Sequence, residues 1–157
     1  MPVFARLIFA AVNFAARKGL AAEVSPEDRK TEARRTGVRG ETYAYWYLRR
    51  HHYTLVARNF TFPGTKGEID IIGYDGAALV FVEVKTRTLS ESTAALRAED
   101  AVDREKRRNL RRIARQFLRL RRIDPSASRF DVLAIETQAG KRPNVRLHKA
   151  AFSLHEN

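Results

Sequence analysis

The 157-residue chain contains no cysteine. Disulfide bonds and thiolate metal sites are therefore excluded, and a reducing cytoplasm is the compartment that this composition fits. The four histidines show neither the HxxxH spacing nor a similar pattern, so a zinc site is not expected.

Acidic residues are few relative to basic ones: the chain has 18 Asp and Glu against 30 Lys and Arg, which gives a net charge of +12. A surface of this charge is expected to bind a polyanion, with nucleic acid as the first candidate and an anionic membrane surface as the second. The hydrophobic fraction of 44% is that of a globular protein, and the length corresponds to one domain.

The sequence also lacks an apolar run of the roughly 20 residues that span a bilayer. Residues 1–36 instead predict an amphipathic helix followed by a charged linker over residues 23–35, ahead of a domain that comprises residues 37–157. The apolar face of the helix consists of Phe4, Leu7, Ile8, Ala11, Val12, Phe14 and Ala15. We expect it to dock on the domain or on a second subunit, with contact to an anionic membrane as the alternative.

Residues 67–87 predict two strands joined by a tight turn at Asp75-Gly76. Because side chains alternate along a strand, Glu68 and Asp70 share one face of the first strand. In the second strand one face carries Leu79, Phe81, Glu83, Lys85 and Arg87, and the opposite face carries Val80, Val82, Val84 and Thr86. The second strand is thus apolar on both faces where it begins, and its charges appear where it emerges from a layered core.

Buried carboxylates need a metal or a cationic partner, since an unpaired buried charge costs several kcal/mol. Asp70 and Glu83 on neighbouring strands, with Lys85 two residues further on, predict a compact site for a hard divalent cation. Mg²⁺ suits such a site because it typically takes one or two protein carboxylates together with water and phosphate oxygens. Mn²⁺ is the alternative cation.

The sequence Asp70 followed by Glu83-Val84-Lys85 resembles the D…ExK signature of the restriction-endonuclease-like, or PD-(D/E)xK, nucleases, although Ile69 replaces the usual proline. Residues 67–72 and 81–87 together look like the bacterial YraN family, which shares its core with archaeal Holliday-junction resolvases. The resemblance extends over about residues 40–152. It implies an α/β fold with a mixed central sheet flanked by helices, in agreement with the order of predicted elements.

A helix is expected over residues 40–50, and Glu41 lies on its core-facing side with Ala44 and Leu48. An acidic residue in a first turn can simply complement the helix dipole, which stabilises by about 0.3–1 kcal/mol. The resemblance favours a role in the site, because the YraN family and the resolvases carry a glutamate in this helix that matches Glu41. It therefore implies Asp70, Glu83 and Glu41 as metal ligands, with Lys85 as a further catalytic residue. Glu68 would lie beside them, or alternatively pair with Lys66 or Arg87.

A long helix is predicted over residues 97–123, with a buried stripe of Val102, Leu110, Ile113, Ala114, Phe117 and Leu118. Its remaining surface is almost entirely basic, which is usual for a solvated face but unfavourable through self-repulsion. A surface that follows phosphates explains this bias better. The predicted nucleic-acid-binding residues are Lys106, Arg107, Arg108, Arg111, Arg112, Arg115 and Arg87. Lys106 also matches a lysine of the family pattern.

Further strands are expected over residues 54–60, 128–137 and 144–152, with Asp131 in a structural role. Three functions remain open at this point. The favoured one is a metal-dependent nuclease that acts on DNA or another nucleic acid, with a preference for junctions or flaps. The others are a non-catalytic nucleic-acid-binding module and a membrane-peripheral or adaptor protein built around the N-terminal helix. A homodimer would suit junction cutting, by analogy.

Overall fold

The computed structural model describes residues 7–8, 10–14, 29–88, 104–138 and 140–154. The elements in chain order are helix α1 (Arg29–Arg50), strands β1 (Thr54–Phe60), β2 (Ile69–Asp75) and β3 (Ala78–Thr88), helix α2 (Arg104–Arg121), a 3₁₀ turn (Pro125–Ala127), and strands β4 (Ser128–Thr137) and β5 (Asn144–Phe152). The strands form one sheet in sequence order. Neighbouring strands are antiparallel except for β3 and β4, which are parallel.

This arrangement confirms the predicted α/β class and is consistent with a restriction-endonuclease-like core. Helix α1 packs on one face of the sheet, where Ala44 and Leu48 contact a cluster that contains Ile71, Val80, Val82, Leu133 and Ile135. Helix α2 connects the parallel strands and packs on the opposite face, against Ile72, Leu79, Phe81, Phe130 and Val132. The predicted alternation of β3 is confirmed, since its odd-numbered apolar residues join the α2 cluster and its even-numbered ones the α1 cluster.

Strands β1, β4 and β5 have the predicted bounds, but the helices and the hairpin differ. Helix α1 begins at Arg29, so the predicted linker is helical from that residue onward and the helix runs through the boundary at residues 36 and 37. Arg, Lys, Glu and Ala in this segment are good helix formers and no proline interrupts them. The hairpin turn consists of Gly76 and Ala77, because Asp75 pairs with Ala78 as the last residue of β2.

Both helices end in a C-terminal cap in which one residue adopts a left-handed conformation. The amides of this residue and the next one donate to carbonyl groups of the last helical turn. After α1, His52 has a φ of 68° and the Tyr53 amide donates to the Leu48 carbonyl. After α2, Arg122 has a φ of 54° and the Ile123 amide donates to the Leu118 carbonyl. This motif ends α2 at Arg121, two residues before the predicted end. Residues 97–103 of that prediction lie outside the described residues.

Residues 7–8 and 10–14 are helical, as predicted for the N-terminal segment. Val12 packs against the α1 cluster, and the Tyr43 hydroxyl donates to Asn13 Oδ1 at 3.5 Å, so this segment docks on the domain. Leu7 and Phe14 belong to the predicted apolar face but are exposed, so this part of the face does not pack on the described part of the domain. Among the described residues, no helix is both long and apolar enough to cross a bilayer.

Candidate metal centre and nucleic-acid interface

Two carboxylates meet where the ladder between β2 and β3 ends. The pairing runs as far as Ile71 and Val82, and continuing this register by one residue places Asp70 opposite Glu83. There Asp70 Oδ2 accepts a hydrogen bond from the Val84 backbone N–H at 2.7 Å. Asp70 is 8% and Glu83 2% exposed, so the predicted pair is buried at the end of an apolar face.

Two lysines contact the same oxygen of Glu83. Lys85 Nζ lies 3.0 Å from Glu83 Oε1, and Lys106 Nζ from helix α2 contacts the same atom. Among the residues that the structure describes, the buried Glu83 Oε2 has no hydrogen-bond partner. A buried carboxylate oxygen without a donor is costly, and it points to a group that completes the site.

The two carboxylates repel each other in a poorly solvated environment. Burial, followed by the charge of Glu83, raises the pKa of Asp70 to about 7, although the Val84 amide and Lys106 act in the opposite direction. Burial lowers the pKa of Lys106, but the neighbouring Glu83 outweighs it and raises the pKa above its ordinary value. The site therefore retains its lysine charge and disfavours two ionised carboxylates without added cationic charge.

Asp70 and Glu83 fit the requirements of a Mg²⁺ or Mn²⁺ site, because both offer hard oxygen ligands and Glu83 Oε2 is an unsatisfied one. Within the described parts of the chain, no group of three or more His, Asp or Glu side chains is close enough to hold a metal ion. The site thus provides two carboxylates, and water and substrate oxygens would complete a coordination shell.

Glu41 lies in the second half of α1, where its Oε2 accepts a hydrogen bond from Asn59 Nδ2 at 2.9 Å. Its charge still contributes, as the weakest effect, to the raised pKa of Asp70. Its part as a metal ligand stays a prediction. Asn59 was not among the predicted site residues, although it has a φ of 48° near the end of β1. The sequence contained one indication of it, an asparagine within a predicted strand.

A cavity of about 350 Å³ adjoins Asp70 and is formed between residues 66–70 and helix α2. Asp70, Glu68 and Lys106 line it, so Glu68 and Asp70 face the same cavity. The role of Glu68 beside a metal stays a prediction. The alternative partner Lys66 instead contacts Glu105 at 3.2 Å. Asn109 also lines the cavity and was missed, although it follows Lys106 by one helical turn.

Sequence comparison connects this site with a protein family. The model of a family described as "Uncharacterised protein family UPF0102" matches residues 40–135, which include Asp70, Glu83, Lys85 and Lys106. The chain belongs to the UPF0102 family. It is 45% identical over 131 residues to a UPF0102 protein of Koribacter versatilis, covering 83% of this chain and 88% of that one.

Other UPF0102 proteins are similar to this chain over most of their length. A protein of Solibacter usitatus is 46% identical over 114 residues, with 72% and 82% of the two chains covered. A protein of Geobacter metallireducens is 40% identical over 118 residues, with 75% and 92% covered. UPF0102 is the YraN family of the resemblance, and the family model matches from residue 40. The 131 residues shared with the Koribacter versatilis protein extend to positions before residue 40, so the similarity is longer than expected.

In this UPF0102 chain the predicted basic residues of α2 divide into two groups. Arg108 and Arg112 are exposed, and Arg107 is half-buried with its guanidinium over the Phe152 ring. Arg87 is half-buried on β3, two residues beyond Lys85. These side chains and Lys106 remain the candidates for phosphate contacts.

Arg111 and Arg115 belong to the second group, which holds the C-terminal segment. Arg111 is buried and its Nε donates to the Ser153 carbonyl at 2.7 Å, so its assignment to an exposed nucleic-acid surface was wrong. Arg115 is exposed, but its Nη2 donates to the Leu154 carbonyl at 2.9 Å. Arg111 lies beside the buried stripe of the helix, and the Ser153 carbonyl accepts a hydrogen bond from its buried guanidinium group.

We expect Arg111→Met to lower the free energy of unfolding by about 2 kcal/mol, because it removes a charged hydrogen-bond donor and leaves the Ser153 carbonyl without it. Urea unfolding measures this change. Arg112→Met on the exposed side of the same helix is the matched control and should stay within about 0.5 kcal/mol of the parent. Equal effects of the two substitutions would contradict the structural role of Arg111.

Proposed function

We propose that this UPF0102 protein is a metal-dependent nuclease that hydrolyses phosphodiester bonds. The observation that carries the proposal is the buried pair Asp70 and Glu83, with an unsatisfied carboxylate oxygen and two lysine ammonium groups at one point of the sheet. A purely structural ion pair does not explain a second buried carboxylate that raises the electrostatic cost. A net charge of +12 fits a polyanionic substrate.

Asp70 and Glu83 would hold Mg²⁺ or Mn²⁺, which when bound polarises a phosphate and lowers the pKa of a bound water. Glu83 holds the Lys85 ammonium group at 3.0 Å. Beside a bound phosphate, Lys85 would orient the attacking water or neutralise charge that develops on the phosphate. The exposed Arg108 and Arg112 would contact phosphates further along the strand. The Val84 amide keeps Asp70 in place at the end of the ladder between β2 and β3.

DNA is the proposed substrate, and the resemblance to junction resolvases favours branched forms such as junctions and flaps. Cutting both strands of a junction symmetrically requires two sites, and a homodimer would supply them. This finer assignment rests on the family resemblance, whereas the hydrolytic chemistry rests on the carboxylates and lysines.

The purified protein should cleave at least one of four labelled DNAs (four-way junction, flap, single strand and duplex) with Mg²⁺ or Mn²⁺ and not with EDTA. Lys85→Met should lower the cleavage rate by about 10²–10³-fold, as expected for loss of a charge-stabilising group. Lys141→Met makes the same chemical change at an exposed turn and should leave the rate unchanged.

Salt-sensitive binding of these DNAs without cleavage of any of them, and without an effect of the metals, would contradict the nuclease assignment. That result would favour a non-catalytic nucleic-acid-binding module. Parallel reactions with an RNA strand of the same sequence distinguish the two nucleic acids, and band sizes distinguish junction from flap cutting.

A further inference from the structure

Glu83 is an unusual ion-pair partner because one of its oxygens receives two cations while the other receives no described donor. Lys85 and Lys106 both contact Oε1. The lysines come from different elements: Lys85 follows Glu83 on β3, whereas Lys106 reaches across from α2. Their side chains are 21% and 40% exposed, respectively, so Lys106 is the more accessible of the two.

The cluster already contains as many ammonium groups as carboxyl groups before any metal is added. Asp70 and Glu83 carry at most two negative charges, and the two ammonium groups carry two positive ones. A divalent cation on Glu83 Oε2 and Asp70 would therefore lie within a carboxylate's width of two like charges. At such distances and in a partly buried site, this repulsion is strong enough to change where a flexible side chain lies.

Lys106 is the group that can move. Its ammonium lies at the end of a flexible four-carbon chain, and it lines the cavity of about 350 Å³ together with Lys66 and Asn109. Lys85 has less room, since its side chain is mostly buried next to Glu83 on the same face of β3. A displaced Lys106 would enter a space that borders Asp70 and where an anionic group can reach it.

We propose that Lys106 is an exchangeable counter-ion of Glu83, which a divalent cation displaces and which then binds a substrate phosphate in the adjoining cavity. The inference rests on the proposed metal site and adds a coupling: metal binding releases a cation for the nucleic acid, and nucleic acid favours the state that binds metal. Such coupling is reciprocal, so each ligand increases the affinity for the other by the same factor. Lys106 is thus a positioning residue that links the two ligands.

The test measures Mn²⁺ binding by electron paramagnetic resonance of the free ion, with the full-length protein alone and with a saturating short DNA duplex. Lys106→Met should bind Mn²⁺ about tenfold more tightly than the parent without DNA, because a competing cation is removed. DNA should tighten Mn²⁺ binding to the parent by a similar factor and to Lys106→Met by much less. Lys141→Met, which removes the same charge from an exposed turn, should match the parent.

Equal or weaker Mn²⁺ binding by Lys106→Met would overturn the proposal, as would an undiminished effect of DNA on that variant. Lys106→Gln repeats the measurement with a polar side chain, and circular dichroism verifies that both variants are folded. These readouts do not require cleavage. If the binding results are as expected but no DNA is cut, the coupling stands and the nuclease assignment fails; cleavage with unchanged Mn²⁺ affinity gives the opposite conclusion.

Discussion

Asp70→Asn should abolish metal-dependent cleavage and at the same time increase the stability of the protein at neutral to alkaline pH. If the proposed function holds, the activity should fall by about 10³-fold or more, because the substitution removes one of the two proposed carboxylate ligands of the cation. Stability should rise because the new amide side chain keeps an oxygen acceptor for the Val84 N–H and does not place a second buried charge next to Glu83.

The size and pH window of the stability change follow from the pKa of Asp70. Its value rises from 3.8 to about 7 on folding, so the folded state holds a proton that the unfolded state releases over this range. Ionised Asp70 therefore destabilises the folded protein as pH rises from about 4 to 7, and the effect is complete above about pH 7. A shift of this size corresponds to at most about 4 kcal/mol.

Urea unfolding of the parent and Asp70→Asn at about pH 4.5 and pH 8 measures this effect, with a gain of about 2–4 kcal/mol expected only at the higher pH. Asp75→Asn is the control, since it makes the same change at a carboxylate with the opposite shift. Hydrogen bonds from Lys149 and Arg129 lower the pKa of Asp75 to about 2. Its ionised form stabilises the fold above about pH 4, and this contribution is lost as pH falls towards 2.

Asp75→Asn should therefore destabilise the protein at about pH 8, by about 1 kcal/mol because solvent screens this partly exposed group. Loss of stability in both variants at this pH would show that Asp70 is structural like Asp75. Increased stability of Asp70→Asn with unchanged cleavage would instead remove Asp70 from the reaction.

The period of two along a strand was sufficient to predict that Glu83 and Lys85 share one face of β3 and that Asp70 lies on the neighbouring strand. The register that brings Asp70 opposite Glu83 was not predicted, because the expected turn at Asp75-Gly76 would have placed Asp70 opposite Phe81. The period of two also separated the two apolar clusters on either side of the sheet. Local patterns were informative here because the interacting residues belong to adjacent strands joined by a short turn.

Contacts between distant segments were not predictable in this way. The helical period shows that Arg111 lies next to the buried stripe, but it does not reveal the Ser153 carbonyl, which is 42 residues away in the chain. The ion pair of Lys106 with Glu83 depends on how α2 crosses the sheet. Likewise, the partner of Glu41 follows from the path of β1, on which Asn59 adopts a left-handed conformation.

Helix α1 approaches the sheet closely at Gly40, and a substitution there is expected to have a large effect on stability. A Cβ atom at this position would lie 1.8 Å from Thr86 Oγ1 and 2.9 Å from Thr86 Cβ. Rotation of the threonine relieves only the first of these contacts, so a larger residue must push the helix away from β3. Gly40→Ala should consequently lower the free energy of unfolding by about 2–3 kcal/mol, even though alanine favours helix by about 1 kcal/mol.

Gly37→Ala is the matched control because it lies in the same helix, and among the described residues no atom outside the helix's own backbone lies within 4 Å of a Cβ there. It should stabilise the protein by up to about 1 kcal/mol, so the two substitutions are expected to have opposite signs in urea unfolding. If contact with Thr86 is the cause, Gly40→Ala introduced into Thr86→Gly should lose its cost, and the coupling between the two sites should be about 2 kcal/mol or more. An equal cost in both backgrounds would contradict this contact.

Since Gly40 directly precedes Glu41, the same displacement would also move that carboxylate relative to Asp70 and lower cleavage in the variants that remain folded.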